Sequence, residues 1–182
     1  MKSRHVIPGN AGHHAVHFYD DSERLCRSVA DFLGDGLAAR QPVVVVAIRG
    51  HARRIRHELS SRHFDVDHLE RAGRLTILDA TETLEQFMDG GRPNPVRFQR
   101  VIGNVLRSAR RRSNDPTVRA YGEMVNVLWG EGQREAAIEL ERLWNQLAES
   151  EEFSLLCGYA LATTRKRTSR QAICAQHTHV LA

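Results

Sequence analysis

The stretch PVVVVAI, Pro42 to Ile48, places six apolar residues in a row behind a proline. Four successive valines are stiff at χ1, disfavour a helix and suit a pleated strand. No polar residue alternates with them, so both faces of this strand must be covered, as in a parallel sheet flanked by helices. The neighbouring segments fit that frame. HAVHFY (His14–Tyr19) has strand character, and Ser22 is suited to cap the helix that follows. In that helix Leu25, Val29, Phe32, Leu33 and Leu37 recur at helical spacing to about Ala39.

A helix from about His51 to Ser61 follows the valine run, and RLTILDA is a third strand ending at Asp79. Thr81 or Thr83 starts a short helix through Met88, which GGRPNP breaks. From Val96 to about Arg112 the stripe Phe98, Val101, Ile102, Val105 and Leu106 predicts another helix. Val118 to Tyr121 is a fourth strand and FSLLCGYA a fifth. Between them Ala136, Ala137, Leu140, Leu143, Trp144 and Leu147 form the stripe of a helix from about Gly132 to Glu149. The tail reads as a basic turn, Arg165–Arg170, and the segment AICAQHTHVLA. Strands alternating with helices define an α/β chain with a mostly parallel central sheet and helices on both faces. The expected organisation is a lead-in over 1–12 and a single domain over 13–182.

Composition narrows the function. A chain of 182 residues with 41% hydrophobic and 26% charged residues can bury a core of its own. No apolar run approaches the roughly 20 residues that span a bilayer, and the N-terminus lacks the apolar stretch of a secretory signal. Cytoplasm is the expected compartment. Three widely spaced cysteines, Cys26, Cys157 and Cys174, suit buried thiols rather than a disulfide framework. The net charge is +4, almost all of its positive side arginine, because Lys2 and Lys166 are the two lysines. Basic groups at 49–56, 97–112 and 165–170 face an acidic group at 131–152. The sequence holds no helix-turn-helix pattern, zinc finger or aromatic RNA-binding strand, which argues against nucleic acid. The opposed charges of the 97–112 and 132–149 helices suggest docking of a partner or of a second copy, weakened by salt.

Nucleotide hydrolysis on this architecture needs G-x-x-x-x-G-K-[ST] after the first strand, where amides cradle phosphates and the lysine neutralises charge. The segment here is YDDSERL, with neither glycine nor lysine. G-x-G-x-x-G and G-x-S-x-G are also missing. Cys174, His177 and His179, with Cys157 from the last strand, make a weak zinc set, because closed sites usually have tighter paired ligands. His13, His14 and His17 alternate across strand faces and do not converge by themselves. No cofactor is required by the sequence.

The order of HFYDD, FLGDGLAARQPVVVVAIRGH, GRLTILDATETLEQFM, VRAYGEMVNVLWGEG, AAIELERLWNQLA, FSLLCGY and ICAQHTHV resembles the MEDS (methanogen/methylotroph sensory) domain family, over roughly His14 to Val180. The resemblance implies a three-layer RecA/KaiC-like core that has lost its phosphate loop, in agreement with YDDSERL. It implies a sensory input module that regulates a kinase, an anti-sigma system or transcription. The chain carries no output domain, so it is expected to act through a separate partner or to be an excised input domain. The resemblance names no ligand.

In open parallel sheets ligands bind beyond the carboxyl ends of the strands. Those ends carry Tyr19, Asp20, Arg49, His51, Asp79, Tyr121, Glu123 and Tyr159, with Trp129 placed to cap a pocket. Aromatic and polar groups from five stretches thus converge on one expected rim, the mix of a small-molecule site. Glu123 has three readings: a ligand contact, a cap of the helix entered at Met124, or the acid of a degenerate nucleotide-binding or hydrolytic enzyme. As a ligand contact, its replacement by alanine together with Arg49→Ala is expected to lose response more than stability.

Overall fold

In the computed structural model, which describes residues 12–113, 115 and 117–181, β1 (His14–Tyr19) leads into α1 (Ser22–Ala38) and β2 (Val43–Ala47). Next come α2 (Arg49–Ser61), α3 (Val66–Arg71), β3 (Leu75–Asp79), α4 (Ala80–Glu85) and the short β4 (Met88–Asp89) and β5 (Arg92–Pro93). The second half holds α5 (Pro95–Arg110), β6 (Val118–Gly122), α6 (Met124–Gly130), α7 (Arg134–Leu147), β7 (Phe153–Ala160), α8 (Arg167–Cys174) and β8 (His179–Leu181). Of the lead-in, only Gly12 lies inside the described residues; its N–H donates to the Phe153 carbonyl at 3.0 Å.

Among the described residues six strands form one sheet in the order β3-β2-β6-β7-β1-β8, and every pairing in it is parallel. The valine run is buried on both faces, as its composition requires. Val43, Val45 and Ala47 pack with Leu25, Val29, Leu33, Ile55 and Leu59 of α1 and α2. Val44 and Val46 join Leu84, Phe98, Ile102, Val125 and Leu140 on the opposite face, beneath α4 to α7. The result is three layers around two apolar cores. No helix among the described residues is long and apolar enough to cross a membrane.

Several boundaries differ from the sequence reading for local reasons. Asp21, not Ser22, caps α1: its carboxylate accepts from the amides of Glu23 and Arg24. Asp79, not Thr81 or Thr83, caps α4 by accepting from Thr81 and Glu82. In both cases an extended residue with a short carboxylate stands just ahead of the helical turn and satisfies its orphan amides. The GGRPNP break is a hairpin. Gly90 and Gly91, at φ 56° and 79°, supply the left-handed pair a two-residue turn needs. The basic turn read at Arg165–Arg170 gives way to α8 from Arg167, and the tail adds a sixth strand, β8, which pairs with β1 through Ala15, Val16 and His17.

Charge is partly matched within the chain. Arg107 of α5 bonds Glu151 at 2.6 Å and Arg110 reaches the same carboxylate at 3.5 Å. Arg92 stands 3.7 Å from Glu135 and 3.8 Å from Glu139 of α7. Some of the opposed charge that the sequence offers to a partner is therefore met by neighbours in the fold.

Candidate functional site

At the carboxyl ends of β1, β2 and β6, Tyr19, His51 and Glu123 meet. Glu123 follows the last residue of β6 and is fully buried. It occupies the N-cap position of α6 without capping it. One oxygen instead sits 2.8 Å from His51 Nδ1, and the other accepts from the Ile48 amide at 3.2 Å. The Glu123 amide donates back to the Val46 carbonyl at 3.0 Å, so this residue fastens the end of β2 to the end of β6. The capping reading is thereby corrected: the side chain turns under the sheet edge toward α2 and not along α6. Tyr19 stacks edge-on to the His51 ring at 5.9 Å, and Asn126 of α6 donates to its hydroxyl at 3.3 Å. Burial, followed by the Glu123 charge, pushes the Tyr19 hydroxyl up, and the same two causes lift the neighbouring Cys26 thiol to about 12.

The phosphate-loop position lies beside this group. Between β1 and α1 only Asp20 and Asp21 intervene. A two-residue turn cannot wrap a polyphosphate, and the α1 amides that would hold one are taken by the Asp21 carboxylate at 2.7 and 3.2 Å. Backbone donation by Glu23 and Arg24 lowers the Asp21 carboxyl below its ordinary value. Next to the turn a cleft of about 650 Å³ is lined by Tyr19, Asp20, Ser22, Leu161, Arg165 and Arg170. It opens between the ends of β1 and β7, with exposed Arg165 on the connection to α8 and exposed Arg170 within α8.

The rest of the expected rim divides. Arg49 is held at the surface by Glu82 at 2.7 Å and Asp79 at 3.4 Å, beside a separate groove near the end of β3. Tyr121 is buried within β6 on the α1 side; its hydroxyl has no partner among the described residues and lies over Gly158, where an added Cβ would come within 2.7 Å of it. Tyr159 faces the opposite layer and donates to Glu141 of α7 at 2.9 Å. Trp129 packs edge-on to Tyr159 at 5.8 Å, donates to the Thr163 carbonyl, and lines a shallow groove with Arg92, Arg134 and Ile138. Tyr19, His51 and Glu123 therefore share one locus, with Tyr121 buried near Tyr19 and Glu123 on the same face of the sheet and Asp20 beside Tyr19 at the cleft, whereas Arg49, Asp79, Tyr159 and Trp129 do not join it.

A second polar locus was only half visible in the sequence. His14 of β1, Glu141 of α7, Cys157 of β7 and His177 of the α8–β8 connection bring their ligand atoms within 4.8 Å of one another. Cys157 and His177 belong to the expected zinc set; Cys174 and His179 stay outside it, His179 exposed on β8 with its ring tilted against that of His13 at 5.0 Å. Burial by itself pushes the Glu141 carboxyl up, but His177 and His14 beside it hold it well below the usual carboxylate range. The missed signal was Glu141, a carboxylate set in the apolar stripe four residues after Ala137 and three before Trp144.

A parallel sheet in this strand order with helices on both faces is a three-layer α/β domain of the RecA/KaiC type, here without a glycine-rich loop after the first strand. The chain belongs to the MEDS family: the model of the methanogen/methylotroph, DcmR sensory domain matches residues 13–178. Among solved structures it is similar to a KaiC-like protein, PH0186, from the hyperthermophilic archaeon Pyrococcus horikoshii OT3. The TM-score is 0.63 at 17% identity, covering 93% of this chain and 71% of that one. At this identity the likeness speaks for the fold alone. No curated protein matches the chain.

Proposed function

We propose that this sensory domain is a non-catalytic input module. It takes a small polar molecule into the cleft between the ends of β1 and β7 and passes its state to a separate signalling protein. The observation that carries this reading is the two-residue acidic turn Asp20–Asp21, which fills the phosphate-loop position and caps its own helix amides. An ATPase-type core so altered keeps the crevice at the strand ends but offers it to a different guest. Arg165 and Arg170 on one side and Asp20 and Ser22 on the other suit a molecule with an anionic group and a donor.

The enzyme reading with Glu123 as the acid is weaker. That carboxylate is fully buried, with both oxygens engaged by His51 and Ile48. A catalytic acid or base must reach the substrate's proton directly or through one water.

A thermal-shift screen of anionic metabolites tests the proposal. A ligand at a hundred times its Kd should stabilise the native state by about 2.7 kcal/mol. Arg165→Ala and Arg170→Ala should abolish that shift while leaving the unliganded melting temperature in place. A shift that survives both substitutions would move the site elsewhere, and chemical turnover of the stabilising compound would replace a sensor with an enzyme.

A further inference from the structure

We propose that His14, Glu141, Cys157 and His177 bind a transition-metal dication, and that zinc is the ion this set fits. The donors are two imidazoles, a thiolate and a carboxylate, the mixture that tetrahedral zinc takes. Four of the donor-to-donor distances lie near the edges of such a polyhedron, His177 being nearest the second carboxylate oxygen. His14 Nε2 lies 3.1 Å from Glu141 Oε2 and 3.3 Å from Cys157 Sγ. Cys157 Sγ is 3.6 Å from Glu141 Oε2, and His177 Nε2 is 3.4 Å from Glu141 Oε1. Metal–ligand bonds of about 2.0–2.3 Å in tetrahedral geometry give edges of roughly 3.3–3.8 Å.

The outer contacts fix which ring nitrogens face inward. Asn145 Nδ2 donates to the Gln176 carbonyl at 3.0 Å, which leaves Asn145 Oδ1 as the acceptor 2.8 Å from His14 Nδ1. His14 Nδ1 therefore carries hydrogen. His177 Nδ1 faces the Ile173 carbonyl at 2.7 Å and carries hydrogen for the same reason. In the neutral rings both Nε2 atoms then present lone pairs to the centre, beside a carboxylate and a sulfur. Tyr159 steadies the carboxylate by donating to Glu141 Oε1 at 2.9 Å. Hydrogen-bonded outer partners of this kind orient metal ligands.

A metal-free polar cluster accounts for these contacts less well. The His177 side chain is completely buried, yet its Nε2 has, among the described residues, only the 3.4 Å approach to Glu141 Oε1 and no well-formed hydrogen bond. A polar atom so poorly satisfied in such a place is costly, and a cation at the centre satisfies it together with the other three donors. Binding would deprotonate the Cys157 thiol and release that proton to solvent, leaving a thiolate–metal bond. It would also tie the α8–β8 segment to β1, β7 and α7, because His177 comes from that segment.

Cobalt(II) titration of the metal-stripped full chain, followed by visible absorption, tests the site directly, with zinc content measured on protein purified without chelator. The expected result is one cobalt per chain with tetrahedral ligand-field bands and a thiolate charge-transfer band, displaced by zinc. Cys157→Ser should lose the charge-transfer band. His177→Ala should lose stoichiometric binding, and Asn145→Ala should weaken it by about 10–100-fold. Cys174→Ser and His179→Ala should bind as the parent does. Failure of the parent chain to bind either ion stoichiometrically overturns the proposal without reference to any variant's folding. So does binding that is unchanged in Cys157→Ser and His177→Ala.

Discussion

His51 Nδ1 and Glu123 Oε1 lie 2.8 Å apart beneath the carboxyl end of the sheet, joining α2 to the end of β6. Both side chains are withdrawn from solvent, so the pair is a fixture of the scaffold that also sets the position of the Tyr19 ring. Removing one member of such a buried pair strands the other and typically costs about 3–5 kcal/mol. Glu123→Ala is expected to lose that order of stability in urea unfolding, reversing the sequence expectation that response would suffer more than stability. Glu123→Gln, which can still accept from the Ile48 amide, should lose less. An alanine variant within about 1 kcal/mol of the parent, on the scale of a lost helix cap, would refute the scaffold role.

Two helical glycines make a matched pair with opposite expected signs. Glycine inside a helix is usually about 1 kcal/mol worse than alanine. At Gly50, where a Cβ meets nothing within 4 Å, Gly50→Ala should stabilise. At Gly36 the added Cβ would lie 2.6 Å from Arg119 Cδ. Arg119 cannot easily step aside: its Nε donates to Gln41 at 2.6 Å, its Nη1 donates to the Phe32 carbonyl at 2.9 Å, and its guanidinium lies over the Phe32 ring. Overpacking of this kind costs about 1–3 kcal/mol, so Gly36→Ala should lower the urea midpoint while Gly50→Ala raises it. Equal shifts for the two would show that Arg119 is free to move.

His17 should make stability sag on the acid side of neutrality. Burial depresses its pKa, and its Nδ1 has no partner among the described residues. The unfolded chain therefore takes up this proton first as pH falls. The His17 contribution is complete above the ordinary value of about 6.5 and is lost as pH drops through the depressed folded value. Replacing His17 with glutamine should flatten that part of the stability–pH curve. An unchanged slope between pH 7 and pH 5, a window of about two units around the ordinary histidine value, would assign the titration to another residue.

Magnesium ATP and magnesium GTP are expected to show no turnover, because the α1 amides already serve the Asp21 carboxylate. Phosphate release assays on the purified chain measure this. A magnesium-dependent rate that copurifies with the protein and disappears in Glu123→Gln would contradict it.

The architecture was legible because parallel strands announce themselves: the valine run, the helical stripes and the acidic first turn all fall where the sequence puts them. The rim was legible only in part, and strand parity explains why. Tyr121 pairs in register with Leu156, so Tyr121 shares its face with Leu156 while Tyr159 points to the other layer. Residues that look equivalent at two strand ends are separated by the whole sheet unless the register is known. Arg49 and Asp79 left the rim for a different reason: nearby surface charges and helix amides satisfy them first. The tail was illegible because β8 is three residues long and largely exposed, Val180 at 50%, and its pairing depends on β1, distant in sequence.

The strand order has a temporal consequence. Of the six strands of this sheet β1 is made before the others, yet its two partners, β7 and β8, are made after all the rest. β2, β3 and β6 can assemble well before then, leaving HAVHFY as an unpaired, apolar edge until Phe153–Ala160 arrives. Pairings this distant in sequence slow folding and prolong exposure to aggregation. A nascent chain interrupted before Phe153 would thus hold half a sheet and one orphan strand, a natural client for a chaperone.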